Sequence, residues 1–268
     1  MNTKNSFSRF LSKFYVYILL LLLYAPILVL IIFSFTPSRL IGNWSGFSLS
    51  LYGALFKDKE IMQAFANTFL VAVSSAVVST VIGTFGAIGI FYSKKRTKAI
   101  MDAVGNIPVM NAEIVTALSL TILFVFAGIK FNFLTLLIGH VVLTIPFVVL
   151  SVRPKLMQMD PNIYEAALDL GATPSKALRK IVIPEIMPGV FSGFILSITL
   201  SLDDYIITAF TRNTAFQTLS TYVYGVTSKK GSLPPSLRAL TTVITLIALI
   251  ILIIVNINSS DKKEENKR

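Results

Sequence analysis

Between Asp160 and Pro184 the chain reads DPNIYEAALDLGATPSKALRKIVIP, the longest polar stretch that separates two apolar runs. Asp160 is a good N-cap, and the proline after it loses no hydrogen bond in a first helical turn, so a short helix is predicted to start here. Gly171 is the expected left-handed stop of that helix, and Thr173 with its following proline repeats the start. Pro184 is predicted to end a second short helix.

Each predicted helix has one apolar face. In the first helix the face has helical spacing and consists of small or aliphatic residues: Ile163, Ala166, Ala167 and Leu170. In the second helix it consists of Leu178, Ile181 and Val182, with the basic residues of the segment lying off it. A loop that carries two short apolar faces is predicted to dock against another protein.

The composition indicates an integral membrane protein. Of the 268 residues, 54% are hydrophobic and only 14% are charged, and the mean hydropathy is +0.75. The absence of cysteine excludes disulfides, a thiol nucleophile and a Cys-based metal site, and a single histidine excludes a His-cluster metal site. Basic residues followed by an apolar run with no small-residue cleavage site predict an uncleaved signal anchor at the N-terminus.

Apolar runs of the length needed to cross a bilayer recur along the chain. The fold is predicted to be all-α, a single transmembrane domain over residues 1–268 with a cytoplasmic loop at 153–187 and a short disordered charged tail at 259–268. Six spans are predicted, at about 14–35, 68–92, 104–127, 134–152, 188–210 and 237–256.

The distribution of Lys and Arg predicts the orientation. With the N-terminus inside, the cytoplasmic segments hold 16 of the 24 basic residues and the outer segments hold 8. This bias places both termini and the Asp160–Pro184 loop in the cytoplasm. The net charge of +11 is therefore mostly a signal of topology, and it does not indicate a nucleic-acid partner.

Three carboxylates fall inside predicted spans: Glu113, Asp203 and Asp204. An ionisable group near the middle of a spanning helix costs about 2.5–3.5 kcal/mol on insertion scales, so each acid calls for a function or a partner. On one continuous fifth helix, Asp204 belongs to a polar stripe with helical spacing: Ser197, Ser201, Asp204, Thr208 and Thr211. Asp204, with Ser201, is therefore predicted to face a substrate pathway, and Asp203 to lie at the edge of the stripe or to bond to a neighbouring helix.

Negative charge at the depths of Glu113 and of the aspartate pair suits a cation in transit, especially an elongated polycation. The alternative is that the acids share a proton or bond to hydroxyl groups for packing. For His140, in the fourth span, a hydrogen bond between helices is favoured over a role with substrate or protons.

The Asp160–Pro184 stretch resembles a known motif. Glu165-Ala166-Ala167, then Gly171, then Ile181 and Pro184 resemble the EAA loop of ABC-importer permeases, with Ile183 where that family usually has Leu. The resemblance implies that the loop is a coupling helix seated in a cleft of an ATPase subunit, with Glu165, Ala166, Ala167 and Gly171 as its coupling residues. A plain connector or a DNA-reading helix-turn-helix is the alternative, but a groove-reading module does not fit between two membrane spans.

Further stretches resemble the spermidine/putrescine permeases of the PotC type. They are Tyr24-Ala25-Pro26, Asn43 to Phe47, Glu113-Ile114-Val115, His140 with Pro146 to Val149, and Ser201-Leu202-Asp203-Asp204. The resemblance covers nearly all of the chain, and it departs at Glu113, where the family tends to have Asp.

That resemblance implies a permease subunit in a bacterial inner membrane, not an enzyme. Its expected partners are a homodimeric ATPase, a second and different permease subunit, an external polyamine-binding protein and membrane lipid. The chain has no Gly-x4-Gly-Lys-Ser/Thr motif, so ATP and Mg²⁺ are expected on the ATPase and no cofactor is expected on this chain.

Three other functions are weighed. The same importer class could carry another cation, such as ferric ion, thiamine or an opine. An ion-coupled secondary transporter could use the carboxylates for protons, but it would leave the coupling loop unexplained. An intramembrane enzyme would need a constellation of catalytic residues that the sequence lacks.

Overall fold

The computed structural model describes residues 3–38, 40, 42–160, 162–230 and 234–265, and all regular secondary structure in these ranges is helical. The predicted all-α class is thus confirmed. The helices are α1 (Thr3–Ser34), α2 (Ser50–Lys57), α3 (Lys59–Phe91), α4 (Lys95–Met110), α5 (Glu113–Phe126), α6 (Phe133–Gln158), α7 (Asn162–Asp169), α8 (Pro174–Ala177), α9 (Ile183–Asp203), α10 (Ile206–Thr211), α11 (Leu219–Lys230) and α12 (Pro235–Glu265).

Four helical segments are long and apolar enough to cross a membrane: Lys13–Ser34, Lys59–Phe91, Phe133–Gln158 and Pro174–Asp203. The pair α4 and α5 provides a fifth candidate, and α12 contains a shorter apolar segment, Pro235–Ile250. Each predicted span overlaps one of these segments. The number of six spans itself stays a prediction.

The third predicted span is not one helix. The sequence predicts a continuous span over 104–127, whereas α4 ends at Met110 and α5 begins at Glu113 after a bend of 105°. Pro108 lacks an N–H and so removes one hydrogen bond from the last turns of α4. Asn111 and Ala112 then adopt extended backbone angles, which separates the two helices.

The chain divides into two compact units, residues 1–62 with 226–268 and residues 63–225. The prediction of a single domain over 1–268 stays a prediction.

In the first unit, the buried Arg238 of α12 donates from Nη1 to the carbonyl of Phe33 at 3.1 Å and from Nη2 to that of Ser38 at 2.6 Å. It thereby satisfies one carbonyl group at the C-terminal end of α1 and one in the segment that follows. Helix α12 runs to Glu265 and includes part of the segment predicted to be a disordered tail.

The second unit is built on close packing of α6 against α9. Gly189 and Gly193 lie one turn apart on α9, and a Cβ added at Gly189 would lie 2.9 Å from the backbone oxygen of Ser151. At Gly193 an added Cβ would lie 3.2 Å from the Cα of Val148. Small residues at this spacing let two helix backbones approach closely inside a membrane. The pair of helices forms the frame that carries both candidate sites.

Candidate functional site

The Asp160–Pro184 loop folds largely as its sequence predicts. Asp160 Oδ1 accepts a hydrogen bond from the Asn162 N–H at 2.9 Å, and α7 stops before Gly171, whose φ is +85°. The side chain of Thr173 caps α8 by accepting from the Lys176 N–H at 3.4 Å. A left-handed glycine between two capped helix starts produces the predicted tight turn.

The end of the loop differs from the prediction. Pro184 does not end the second helix; a π-helical turn over Leu178–Val182 carries the chain from α8 into α9. In this wider turn the Ile183 N–H bonds to the carbonyl of Leu178, and Pro184 falls in the first turn of α9. Because the helix is continuous from Pro174 to Asp203, the loop is joined rigidly to a membrane-spanning helix.

Helix α7 presents an apolar face to its surroundings. Leu170 is 89% exposed and Ile163 is 41% exposed, and Ala166 and Glu165 are also exposed. Ala167, by contrast, is buried at 7% exposure and packs inward. The coupling residues named from the resemblance thus divide into an outward set, with Glu165 and Ala166, and an inward residue, Ala167, that fixes α7 to its own chain.

An apolar cluster connects the loop with the spanning helices. Its buried members come from α3, α6 with the residue that follows it, the π-helical turn and α9: Ala87, Ile88, Val148, Val152, Leu156, Met159, Val182 and Ile186. Tyr164 of α7 packs against this cluster, and its ring centre lies 5.3 Å from that of Tyr92. A force applied to α7 would therefore be transmitted directly to α3, α6 and α9.

The second site lies where α9 ends. Asp204 has extended backbone angles (φ −64°, ψ 130°), and α10 starts two residues later at Ile206. The Asp204 carboxylate caps α10: Oδ1 accepts from the Ile207 N–H at 3.0 Å, and Oδ2 accepts from the Thr208 N–H at 2.8 Å. A carboxylate is stabilised in this position by the free N–H groups and the dipole of the helix that follows.

His140 of α6 completes this site. Its Nδ1 lies 2.7 Å from Ser201 Oγ and its Nε2 lies 2.9 Å from Thr208 Oγ1. Thr208 Oγ1 donates to Asp204 Oδ2 at 2.7 Å, and Ser75 Oγ of α3 donates to Ser201 Oγ at 3.2 Å. Side chains from α3, α6, α9 and α10 therefore form one buried hydrogen-bonded chain. The prediction that His140 bonds between helices is confirmed.

The polar stripe is a packing surface in the structure. The sequence places it on one continuous helix that faces the pathway, but the helix breaks after Asp203. All five members are buried inside the subunit: Ser197 at 0%, Ser201 at 4%, Asp204 at 5%, Thr208 at 0% and Thr211 at 0% exposure. Ser201 and Asp204 thus face inward, and the exposed aspartate of the pair is Asp203. Asp204 is buried because its carboxylate bonds to the first free N–H groups of α10, and which of the two aspartates faces a substrate pathway stays a prediction.

Glu113 lies close to the aspartate pair. It is the exposed first residue of α5, directly after the bend that follows α4, and it interacts electrostatically with Asp203 and Asp204. Helices α5, α6 and α10 pack together through Ala117, Leu143 and Ile207. The structure therefore brings the three predicted acids together, with Glu113 and Asp203 exposed and Asp204 buried. Among the residues that the structure describes, no group of three or more His, Asp or Glu side chains could hold a metal ion.

Sequence reasoning missed both breaks in the spanning helices. No glycine or proline lies between Pro188 and Arg212 except Gly189 and Gly193, which pack within α9, so nothing marks the break after Asp203 in the usual way. The available signal was Asp204 itself, because an aspartate close before a helix start can accept hydrogen bonds from the first free N–H groups.

Comparison with known proteins gives a consistent result. Residues 79–260 match the family described as binding-protein-dependent transport system inner membrane component. The chain is 35% identical over 235 residues to the spermidine/putrescine transport system permease protein PotC of Escherichia coli (strain K12), a match covering 88% of this chain and 86% of that protein. It is 34% identical over 229 residues to the putrescine transport system permease protein PotI of the same strain, covering 83% of this chain and 81% of that one.

A solved structure has the same fold over nearly its whole length. A chain of a bacterial ABC transporter involved in the import of the acidic polysaccharide alginate superposes with a TM-score of 0.74, covering 97% of this chain and 98% of that chain. The sequences are only 16% identical, so the likeness shows the fold alone.

Proposed function

The chain belongs to the family of binding-protein-dependent transport system inner membrane components, and we propose that it carries polyamines, spermidine or putrescine, into the cytoplasm. It would act by alternating access as a permease subunit of an ATP-driven importer. The observation that carries this proposal is the match to PotC over 88% of the chain, joined to two exposed carboxylates, each beside a helix break.

The exposed acids suit a polycation. Asp203 and Glu113 interact electrostatically, and neither is buried within the subunit. Two carboxylates repel each other until a cation lies between them, so a diamine or triamine with ammonium groups several bonds apart is a fitting cargo. We assign Asp203 and Glu113 to the substrate pathway, and we assign Asp204 and Ser201 to its support.

The Asp160–Pro184 loop is proposed to couple the pathway to an ATPase. Its exposed apolar face, Ile163, Ala166 and Leu170, is suited to a cleft in a homodimeric ATPase that binds ATP and Mg²⁺. Glu165 would make the polar contact at the edge of that face, and Gly171 would shape the turn. An excess of basic residues on the same side supports a cytoplasmic loop and cytoplasmic termini.

Two further partners complete the proposed assembly. A second, different permease subunit would supply the other wall of the pathway, and an external polyamine-binding protein would deliver the substrate. The second candidate function is the same importer with another cationic cargo, because the acids select for charge and not for a particular amine.

Uptake by the whole complex tests the proposal. The complex would be reconstituted in proteoliposomes with enclosed ATP and the external binding protein, and the uptake of radiolabelled spermidine and putrescine would be measured. We expect ATP-dependent uptake of at least one polyamine. We expect that uptake to be lost in Asp203→Asn and kept in Glu60→Gln, which removes an exposed carboxylate elsewhere in the chain. If the assembled complex hydrolyses ATP but takes up neither polyamine, the cargo is another cation.

A further inference from the structure

The ring of His140 bridges the two sides of the break between α9 and α10. Nδ1 reaches Ser201, the last turn of α9, and Nε2 reaches Thr208, the first turn of α10. The ring is 1% exposed, and its partners are 4% and 0% exposed. Because water cannot reach these bonds, each of them is worth more than a surface hydrogen bond, and losing one leaves a polar atom unsatisfied.

The donors and acceptors of the chain run in one direction. Thr208 gives its hydroxyl proton to Asp204 Oδ2 at 2.7 Å, so His140 Nε2 must be the donor in the bond to Thr208. Ser201 Oγ lies 3.2 Å from Ser75 Oγ and 2.7 Å from His140 Nδ1, and Ser75 Oγ also lies 3.1 Å from the carbonyl oxygen of Ala72. When Ser75 donates to Ser201, a neutral ring with its proton on Nε2 satisfies every member of the chain. The chain then runs Ser75, Ser201, His140, Thr208 and ends on the Asp204 carboxylate.

The backbone around the break is supported from two more sides. Ser220 Oγ of α11 donates to the carbonyl of Asp204 at 2.8 Å, and Thr135 Oγ1 of α6 donates to that of Thr211 at 2.9 Å. Gly139, next to His140, allows the side chain of Ile207 to approach, since a Cβ at Gly139 would lie 2.7 Å from Ile207 Cγ2. One face of α6 therefore follows α10 along its whole length.

The break gives Asp203 and Asp204 different backbone surroundings. On a continuous helix the two side chains would point about 100° apart and neither carboxylate would meet free N–H groups. Here the chain turns extended at Asp204, whose carboxylate turns inward to cap α10, and Asp203 remains outside.

We propose that His140 is the positioning residue of the substrate pathway: by holding α9 and α10 together across the break, it keeps Asp204 inside and presents Asp203 to the cargo. His140 does not touch the substrate. This inference rests on the proposed function for its effect on transport, but the arrangement of the break can be measured with no substrate present.

A cysteine reporter tests the arrangement directly. The chain has no cysteine, so Ile207→Cys introduces one thiol at a fully buried position of α10, whose side chain takes no part in the hydrogen-bonded chain. The complex with Ile207→Cys would be treated with N-ethylmaleimide, and labelling of this chain would be followed by mass. The reporter would be combined with His140→Leu, which removes both ring bonds, and with His140→Gln, whose amide supplies one donor and one acceptor like the neutral ring.

With His140 in place we expect the thiol to be labelled slowly. With His140→Gln the labelling rate should stay within a few-fold of that value. With His140→Leu the rate should rise roughly ten- to a hundredfold, because buried hydrogen bonds that end on a charged group are lost. Equal rates with His140 and His140→Leu would overturn the proposal. Labelling with His140→Gln as fast as with His140→Leu would also overturn it, since the packing of the ring, and not its hydrogen bonds, would then hold the break together.

A second pair of variants keeps the test decisive if His140→Leu does not assemble. Ser201→Ala and Thr208→Val each remove one of the two partners of the ring and keep its packing. Both are expected to raise the labelling rate of Ile207→Cys, and an unchanged rate in either would overturn the proposal.

Transport links the arrangement to function. In His140→Leu we expect polyamine uptake to fall while ATP hydrolysis continues, and we expect Asp203→Asn to lower that residual uptake much less than it lowers uptake of the parent. Full additivity of the two substitutions would show that His140 does not act through Asp203. If the parent complex takes up no polyamine, the proposed cargo is wrong, but the labelling test of the break remains valid.

Discussion

Asp203 and Asp204 are adjacent and have identical side chains, but the two carboxylates lie in opposite environments. Asp204 accepts three hydrogen bonds from the first turn of α10, whereas Asp203 is exposed. A buried carboxylate that is satisfied by helix N–H groups has little to gain from an added cation. An exposed one beside a second acid attracts a cation strongly.

Substitution of the two aspartates by asparagine separates these roles. Asp203→Asn should leave thermal stability nearly unchanged and lower polyamine uptake roughly tenfold or more, since an ammonium–carboxylate attraction is on the order of 4 kcal/mol at 4 Å and an effective dielectric of about 20. Asp204→Asn should destabilise the subunit by about 1.5–3 kcal/mol, because an amide cannot accept all the bonds that the carboxylate accepts. Thermal denaturation and uptake of each complex are the two measurements. Unchanged stability in Asp204→Asn would contradict its role as a cap.

Glu165 is the exposed acid of α7 beside the apolar face. Glu165→Ala should weaken attachment of the ATPase and lower ATP-driven uptake roughly five- to thirtyfold, the effect of about 1–2 kcal/mol at an interface. Glu185→Ala is the matched control, because Glu185 is an exposed acid in the first turn of α9, outside α7. Uptake and co-purification of the ATPase measure the effect. Normal uptake by an assembled complex with Glu165→Ala would show that Glu165 is not part of the coupling surface.

Among the helices, the docking loop at 160–184 was predictable because caps and a glycine define it locally. The breaks after α4 and α9 were not predicted, because the break after α9 depends on tertiary contacts. Gly171, Thr173 and Asp160 act within a few residues, so their sequence spacing was sufficient to predict α7 and α8. The break at Asp204 depends instead on His140, which lies 64 positions earlier in the chain. Periodicity reports which residues share a face of a helix, but it does not report whether that face meets a partner helix or a pathway. For this reason the polar stripe was recognised and its surroundings were not.

The close approach of α6 and α9 depends on glycine. In Gly189→Ala the new Cβ would meet the Ser151 oxygen at 2.9 Å, so the helices must separate and the subunit should lose about 1–3 kcal/mol of stability. Gly89→Ala on α3 is the matched control, since nothing lies within 4 Å of an added Cβ there and alanine favours the helix by about 0.8–1.0 kcal/mol. Thermal denaturation of both variants in detergent measures the difference. Equal stabilities would show that the two backbones can separate without cost.

At the scale of the whole molecule, the two sites are connected through one helix. The segment Pro174–Asp203 begins at the docking loop and ends at the break that presents Asp203. Because α9 is held tightly against α6, a displacement of α7 by an ATPase would shift α9 and α6 together. The break that His140 bridges lies at the far end of that pair, so the proposed coupling surface and the proposed cargo contact share one rigid element.

The orientation of the chain can be tested with single cysteines, because the parent contains none and so provides an unlabelled background. Ser175→Cys lies on the exposed side of α8, and Thr214→Cys lies in an exposed segment after α10. A bias of 16 basic residues to 8 predicts that Ser175 is cytoplasmic and Thr214 is external. A membrane-impermeant maleimide added to intact cells should therefore label Thr214→Cys, and it should label Ser175→Cys only after the cells are made permeable. The reverse pattern would place the α7 face outside the cell, where no ATPase could bind it, and the proposed coupling would fail together with the topology.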